Sequence, residues 1–264
     1  MSASLSSIRL IGMVHLQALP GSPGYAGSRA EVAERALRDA LALQNAGFDA
    51  VLVENYGDAP FAKTDAGRHV TADMTAVIST LMREIDLPLG VQVLRNDVRA
   101  GLAIAAATGA RFVRVNVHTG VMQTDQGIIE GNAHDTLRYR NTIDARHVEI
   151  LADVFVKHAA PLAPSSFTDA VRDTVERGLA DGVIVSGSGT GEAADLEQVK
   201  CARDATGVPV FVGSGVRRET LLETLALAHG VIVGTAIKSG RMTQAPVDAE
   251  ESKLFVEDAR RFMG

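Results

Sequence analysis

One junction recurs along this chain and limits what it can fold into. A helix-like stretch reaches a glycine, and an apolar, β-branched run follows within a few residues. It reads NAGFDAVLV at 45–53, ATGARFVRV at 107–115, LADGVIV at 179–185, ATGVPVFV at 205–212 and AHGVIV at 228–233. Glycine suits the left-handed position that ends a helix. A run without polar alternation suits a strand covered on both faces, as in a parallel sheet. One such junction would carry little weight; the repetition defines an αβ unit.

Three further runs, IRLIGMVH (8–15), PLGVQVL (88–94) and VEILADVFVKH (148–158), complete a set of eight strands. Helices are predicted over 29–46, 70–85, 97–108, 135–146, 166–179, 195–205, 218–228 and 248–263. The first lines up Val32, Ala36, Leu37, Ala40, Leu41 and Leu43, and the last Leu254, Phe255, Ala259, Phe262 and Met263, each as one apolar stripe. Eight alternating pairs predict a single-domain (β/α)8 TIM barrel over residues 1–264, a length near the roughly 250 residues typical of that fold. An open doubly wound sheet is the alternative. Two segments exceed the minimal unit, LQALPGSPGYAGS at 16–28 and HTGVMQTDQGIIEGNAH at 118–134. Both follow strands, which places them at the face where barrels carry their chemistry, and their Gly and Pro content predicts loops or lids.

The net charge of −6, with no basic block, argues against nucleic-acid binding by phosphate neutralisation. The single cysteine, Cys201, excludes an internal disulfide and fits a reducing compartment. No apolar run reaches the roughly 18 residues of a membrane helix, and LIGMVHL is too short for a signal peptide. A cytoplasmic protein is expected. Barrels of this kind often self-associate, so a homo-oligomer is compatible, although no stripe identifies an interface.

The last two strands run straight into glycine, in VPVFVGSGVRRE (208–219) and GVIVGTAIKSG (230–240). In a barrel these turns lie side by side. Gly213, Ser214 and Gly215 would line one, Gly234 and Thr235 the other, with bare backbone able to turn N–H groups toward an anion. A short helix beginning at Thr235 would add its dipole. SGSGTGE at 186–192 brings Gly187 alongside. These six are the candidate phosphate-binding residues; tight βα turns are the plainer explanation. Arg217, Arg218 and Lys238 would either add charge or be solvated helix residues.

Polar residues gather where strands end: His15, Glu54, Asn55, Asn96, Asn116, His118, Asp153, Lys157, His158 and Ser186. A carboxylate emerging from a buried strand, as Glu54 does, is costly without a partner. Asp153 interrupts the fifth strand, and period-two alternation puts Lys157 on its side. That predicts an acid/base couple or a structural ion pair, with the Asp pKa lowered and that of Lys raised. His15 is a candidate acid or base, and Asn116 a substrate-orienting group. Asn96 reads as the N-cap of the helix that follows. A divalent metal could draw on His15, Glu54, Asp153 and His158, but no ligand spacing such as HExxH is present and no metal is assigned. The cofactor is left open.

The opening stretch IGMVHLQALPGSPGY (11–25) resembles the signature of the BtpA/SgcQ family. The likeness continues through DAVLVENYGDAPF (49–61), GVQVLRND (90–97), RFVRVNVHTGVMQTDQGIIEG (111–131), ILADVFVKHAAPL (150–162) and DGVIVSGSGTGE (181–192). The resemblance implies a TIM barrel of the ribulose-phosphate-binding type. It also implies a connection either with sugar metabolism or with photosystem I biogenesis, where cyanobacterial members are placed. Two functions are therefore expected to compete. One is an enzyme acting on a small phosphorylated metabolite by isomerisation, lysis or glycosidic hydrolysis, with Glu54 or Asp153 as base and Lys157 or His15 as acid. The other is a non-enzymatic assembly factor.

Overall fold

The structure, a computed structural model, describes residues 4–187, 189 and 192–263. In chain order its strands are β1 (Leu10–His15), β2 (Ala50–Glu54), β3 (Leu89–Gln92), β4 (Phe112–Val115), β5 (Val121–Thr124) and β6 (Gly127–Glu130). They continue as β7 (Glu149–Val154), β8 (Ala159–Pro161), β9 (Gly182–Val185), β10 (Val210–Val212) and β11 (Gly230–Val233). Eight of them close a parallel barrel in the order β1-β11-β10-β9-β7-β4-β3-β2. The open doubly wound alternative is thereby excluded.

Helices α1 (Arg29–Ala46), α2 (Arg68–Glu84), α3 (Val98–Thr108), α4 (Ala133–Thr142), α5 (Phe167–Arg172), α6 (Leu196–Ala205), α7 (Leu221–Leu227) and α8 (Ala249–Met263) form the outer ring. Ser28 caps α1 by accepting from the Glu31 N–H, and Gly47 ends it in the left-handed region. In α8 the buried stripe is Ser252, Phe255, Val256 and Ala259, whereas Phe262 is exposed. The expected stripe is thus rotated by part of a turn, so that Phe255 stacks on Phe48. Among the described residues no helix is long and apolar enough to cross a membrane.

The recurring glycines turn out to do two different jobs. Gly47 and Gly109 are left-handed helix ends, as the junction predicts. Gly182 and Gly230 instead open strands, and a Cβ on Gly230 would lie 2.7 Å from the Phe211 ring. Gly90 is similar, at 2.2 Å from Phe112. These positions make room for two phenylalanines inside the barrel.

Period-two alternation then builds the interior in layers. Ile11, Met13, Ala50, Leu52, Phe112, Leu151, Ile184, Phe211 and Ile232 pack as one apolar cluster, closed below by Leu5 and Ile8. Two residues further along their strands stand Glu54, Gln92, Arg114, Asp153 and Ser186, all buried. The barrel therefore carries a polar layer on an apolar floor, at the carboxyl ends of its strands.

The segment 118–134, expected as a loop, contains the β5–β6 hairpin, and β8 pairs with β5 to make a second, three-stranded antiparallel sheet. Val117, Met122, Ile129 and Val156 form a small apolar cluster beneath it. The fifth barrel strand is shorter than predicted. It stops at Val154, and Phe155 and His158 take positive φ as the chain turns into this sheet.

Candidate functional site

A cavity of about 210 Å³ opens at the mouth. Its walls include His15, Glu54, Arg114 and Lys157, the turns Gly213–Gly215 and Gly234–Thr235, and the arginines Arg217 and Arg241. Both glycine turns thus face the same space as three of the five candidate catalytic residues. Thr235 starts a single 3-10 turn, Thr235–Ile237, whose first N–H groups have no acceptor within the turn.

The reason for glycine at these turns is closeness of protein to protein. A Cβ on Gly234 would lie 2.9 Å from Cε1 of His15, and one on Gly213 would lie 2.4 Å from Ile184. Gly215 has φ +70 and sits against the Glu192 carbonyl. Gly187 also packs on the carbonyls of Glu192 and Ala193 and is absent from the cavity wall. Part of the SGSGTGE motif, at Ser188, Thr190 and Gly191, lies outside the described residues.

His15 is held by a 3.0 Å hydrogen bond between Nδ1 and the Thr243 carbonyl. A carbonyl only accepts, so the ring proton resides on Nδ1 and Nε2 presents a lone pair. Nε2 lies 3.9 Å from Glu54 Oε1. Burial, reinforced by the charge of Lys238, lowers the His15 pKa to about 3, leaving the ring neutral. Burial raises the Glu54 pKa above the ordinary carboxylate value. Lys157 is pushed the other way, first by burial and then by Arg114.

Asp153 does not pair with Lys157. Arg114 donates to it twice, Nε to Oδ2 and Nη2 to Oδ1, each at 2.9 Å. Asn116 Nδ2 donates at 2.8 Å and Ser186 Oγ at 3.3 Å. The predicted couple fails for a geometric reason: β7 ends before Lys157, so alternation no longer applies there. Arg114 is the residue that sequence reasoning missed. It stands two residues after Phe112 in RFVRV, on the same inward face, and a buried cation requires an anion as surely as Asp153 requires a cation.

Asn116 and Asp153 line a second cavity, of about 320 Å³, beneath the three-stranded sheet. Other expectations also change. The N-cap of α3 is Asp97, which accepts from Ala100 N–H, while Asn96 bridges both backbone groups of Val117. Lys238 is fully buried, with Nζ 3.5 Å from Asp39, and Arg218 pairs with Asp258 at 2.7 Å. His118 turns from the mouth to bond the Gly178 carbonyl. His158 is exposed, and among the described residues no group of three His, Cys, Asp or Glu side chains is placed to hold a metal ion together.

A closed parallel barrel of eight strands with helices between them, here carrying a polar layer and two glycine turns at its carboxyl mouth, defines the class of (β/α)8 TIM barrels. Solved structures of similar fold include thiamine phosphate pyrophosphorylase from Pyrococcus furiosus, with a TM-score of 0.61 and 15% identity over 97% of this chain and 98% of that one. N-(5'-phosphoribosyl)anthranilate isomerase from the same organism gives 0.58 and 14% over 96% and 99%. At such identities the likeness concerns the fold. The family model described as "BtpA family" matches residues 7–261, and the chain belongs to that family. The Photosystem I biogenesis protein BtpA of Synechocystis sp. is 46% identical over 94% of this chain and 86% of its own length. An uncharacterized protein of Pyrococcus furiosus is 47% identical over 97% and 96%.

Proposed function

We propose that the protein is an enzyme acting on a small phosphorylated metabolite by acid/base chemistry. The observation that carries this reading is the shared cavity, where Gly213–Gly215 and Gly234–Thr235 face Glu54, His15 and Lys157. The phosphate rests on the two turns, with Arg217 and Arg241 supplying positive charge. Glu54, with its pKa raised by burial, is the base. Lys157, with its pKa lowered, gives up a proton more readily than an ordinary lysine. Shifting a carboxylate up and an amine down brings both toward neutral pH, where proton transfer is most effective. His15 stays neutral and accepts a substrate hydroxyl at Nε2. Asp153 holds Arg114 in place, with both of its oxygens occupied by donors. Isomerisation, lysis and glycosidic hydrolysis all need this pairing of base and acid around an anchored phosphate.

The test is thermal melting with sugar phosphates and nucleoside monophosphates, beside their unphosphorylated counterparts. A ligand at a hundred times its Kd stabilises by about 2.7 kcal/mol. Phosphorylated compounds are expected to raise the Tm, and Arg217→Glu to abolish the rise. With the ligand so found, Glu54→Gln is expected to bind but not turn over. If no phosphorylated compound shifts the melt, the reading fails.

The name of the Synechocystis relative favours a second reading, a non-catalytic assembly factor. A scaffold gains nothing from a buried layer of Glu54, Arg114 and Asp153, which costs stability relative to apolar packing. That cost favours the enzyme.

A further inference from the structure

We infer that the second cavity receives an uncharged ring bearing an N–H donor, and hence that the phosphorylated substrate is a nucleoside-type phosphate rather than a plain sugar phosphate. The substrate half of this inference rests on the reading given above; the cavity half stands on its own geometry.

Three observations carry it. The first is an acceptor with nothing to accept. Asn116 is 3% exposed and donates Nδ2 to Asp153 Oδ2 at 2.8 Å. A carboxylate only accepts, so the amide nitrogen must face Asp153 and the oxygen must point elsewhere. That oxygen, Oδ1, is buried and has no hydrogen-bond partner. Buried polar atoms without partners are uncommon, and each calls for an explanation. Asn116 belongs to the wall of the second cavity, where a ligand N–H would satisfy it.

The second observation is the charge of the walls. Among the described residues the charged side chains lining this cavity are Asp153, Asp169 and Asp173, with no lysine or arginine. An anion is disfavoured there, in contrast to the first cavity with Arg114, Lys157, Arg217 and Arg241. The remaining lining is largely apolar, including Val121, Met122 and Phe155, which suits a flat ring. At about 320 Å³ the space falls within the range of roughly 300–1,000 Å³ of small-molecule sites.

The third is adjacency. The bidentate Arg114–Asp153 pair is the partition, with Arg114 on the wall of one cavity and Asp153 on the wall of the other. A molecule lying over this partition at the mouth would present its phosphate to one side and its ring to the other.

Calorimetric titration of the full chain with inorganic phosphate, ribose 5-phosphate, uridine, adenosine and their 5'-monophosphates tests this. At least one monophosphate is expected to bind about tenfold or more tighter than ribose 5-phosphate, the worth of one buried hydrogen bond. Asn116→Leu removes the acceptor, and Ala163→Trp, at an exposed rim position, fills the cavity without touching the core. Both variants are expected to reduce that ratio to about one, and Ala163→Trp to do so with ribose 5-phosphate binding unchanged. Equal affinity for ribose 5-phosphate and the monophosphates, or a ratio indifferent to both variants, overturns the inference while the phosphate reading survives. A nucleoside that binds and is lost in both variants, with no binding of phosphate or ribose 5-phosphate, upholds the ring cavity and overturns the phosphate reading. Absence of binding by every compound overturns both.

Discussion

Arg114 and Asp153 meet through two hydrogen bonds of 2.9 Å inside the barrel, with side-chain exposures of 3% and 0%. They come from adjacent parallel strands, β4 and β7. Removing one partner strands a buried charge, which costs about 3–5 kcal/mol. Asp153→Leu and Arg114→Met are each expected to destabilise by that amount in urea unfolding. The double replacement is expected to recover much of the loss, since apolar pairs of similar volume often match a buried ion pair. Additive losses would show that the two residues act independently.

His15 is expected to be a neutral Nδ1–H imidazole at pH 5, where exposed histidines are protonated. Its folded pKa is lowered from 6.5 to about 3. Between those values the unfolded chain binds a proton that the folded chain refuses, so stability falls as pH drops through that window. His15→Gln is expected to reduce the fall. Nitrogen chemical shifts of the ring check the tautomer directly; a ring titrating near pH 6 would contradict it.

Gly234→Ala is expected to cost about 1–3 kcal/mol, the usual penalty of overpacking. Its Cβ would stand 2.9 Å from His15 Cε1, so the ring or the turn must move. Gly207→Ala is the control, because nothing lies within 4 Å of its Cβ; a change within about 0.5 kcal/mol is expected there. Melting curves of the two variants, with the His15 ring signals, separate crowding at the turn from a general intolerance of alanine.

Lys238 makes the opposite end of the pH range informative. Burial, aided by Arg35 and opposed by Asp39, lowers its pKa from 10.5 to about 8. Above the lower value the folded state loses this proton while the unfolded chain keeps it, so the residue's contribution to stability rises with pH until the unfolded lysine also deprotonates. Lys238→Met is expected to flatten that rise, by on the order of 1–3 kcal/mol, in denaturant titrations from pH 8 to 10.

The barrel was legible because its strands are buried on both faces and therefore written as unbroken apolar runs. The β5–β6 hairpin was not, since its residues alternate over only four positions per strand, at VMQT and GIIE, among loop-like glycines. The glycine turns and Glu54 could be placed from the strand ends alone. The partner of Asp153 could not, because Arg114 reaches it from the neighbouring strand and only the pairing of β4 with β7 sets that register. Lys157 was placed at the right mouth for the wrong reason. The turn at Phe155, with its positive φ, returns the chain to the cavity after the strand has ended.

A crystal grown in inorganic phosphate decides where the anion goes. The anion is expected in the first cavity, between the backbone of Ser214–Gly215 and that of Thr235, within reach of Arg217 and facing Glu54 and Lys157. An anion bound instead at the opposite end of the barrel, beside Arg9 and Arg203, with the two glycine turns bare at saturating phosphate, would contradict it.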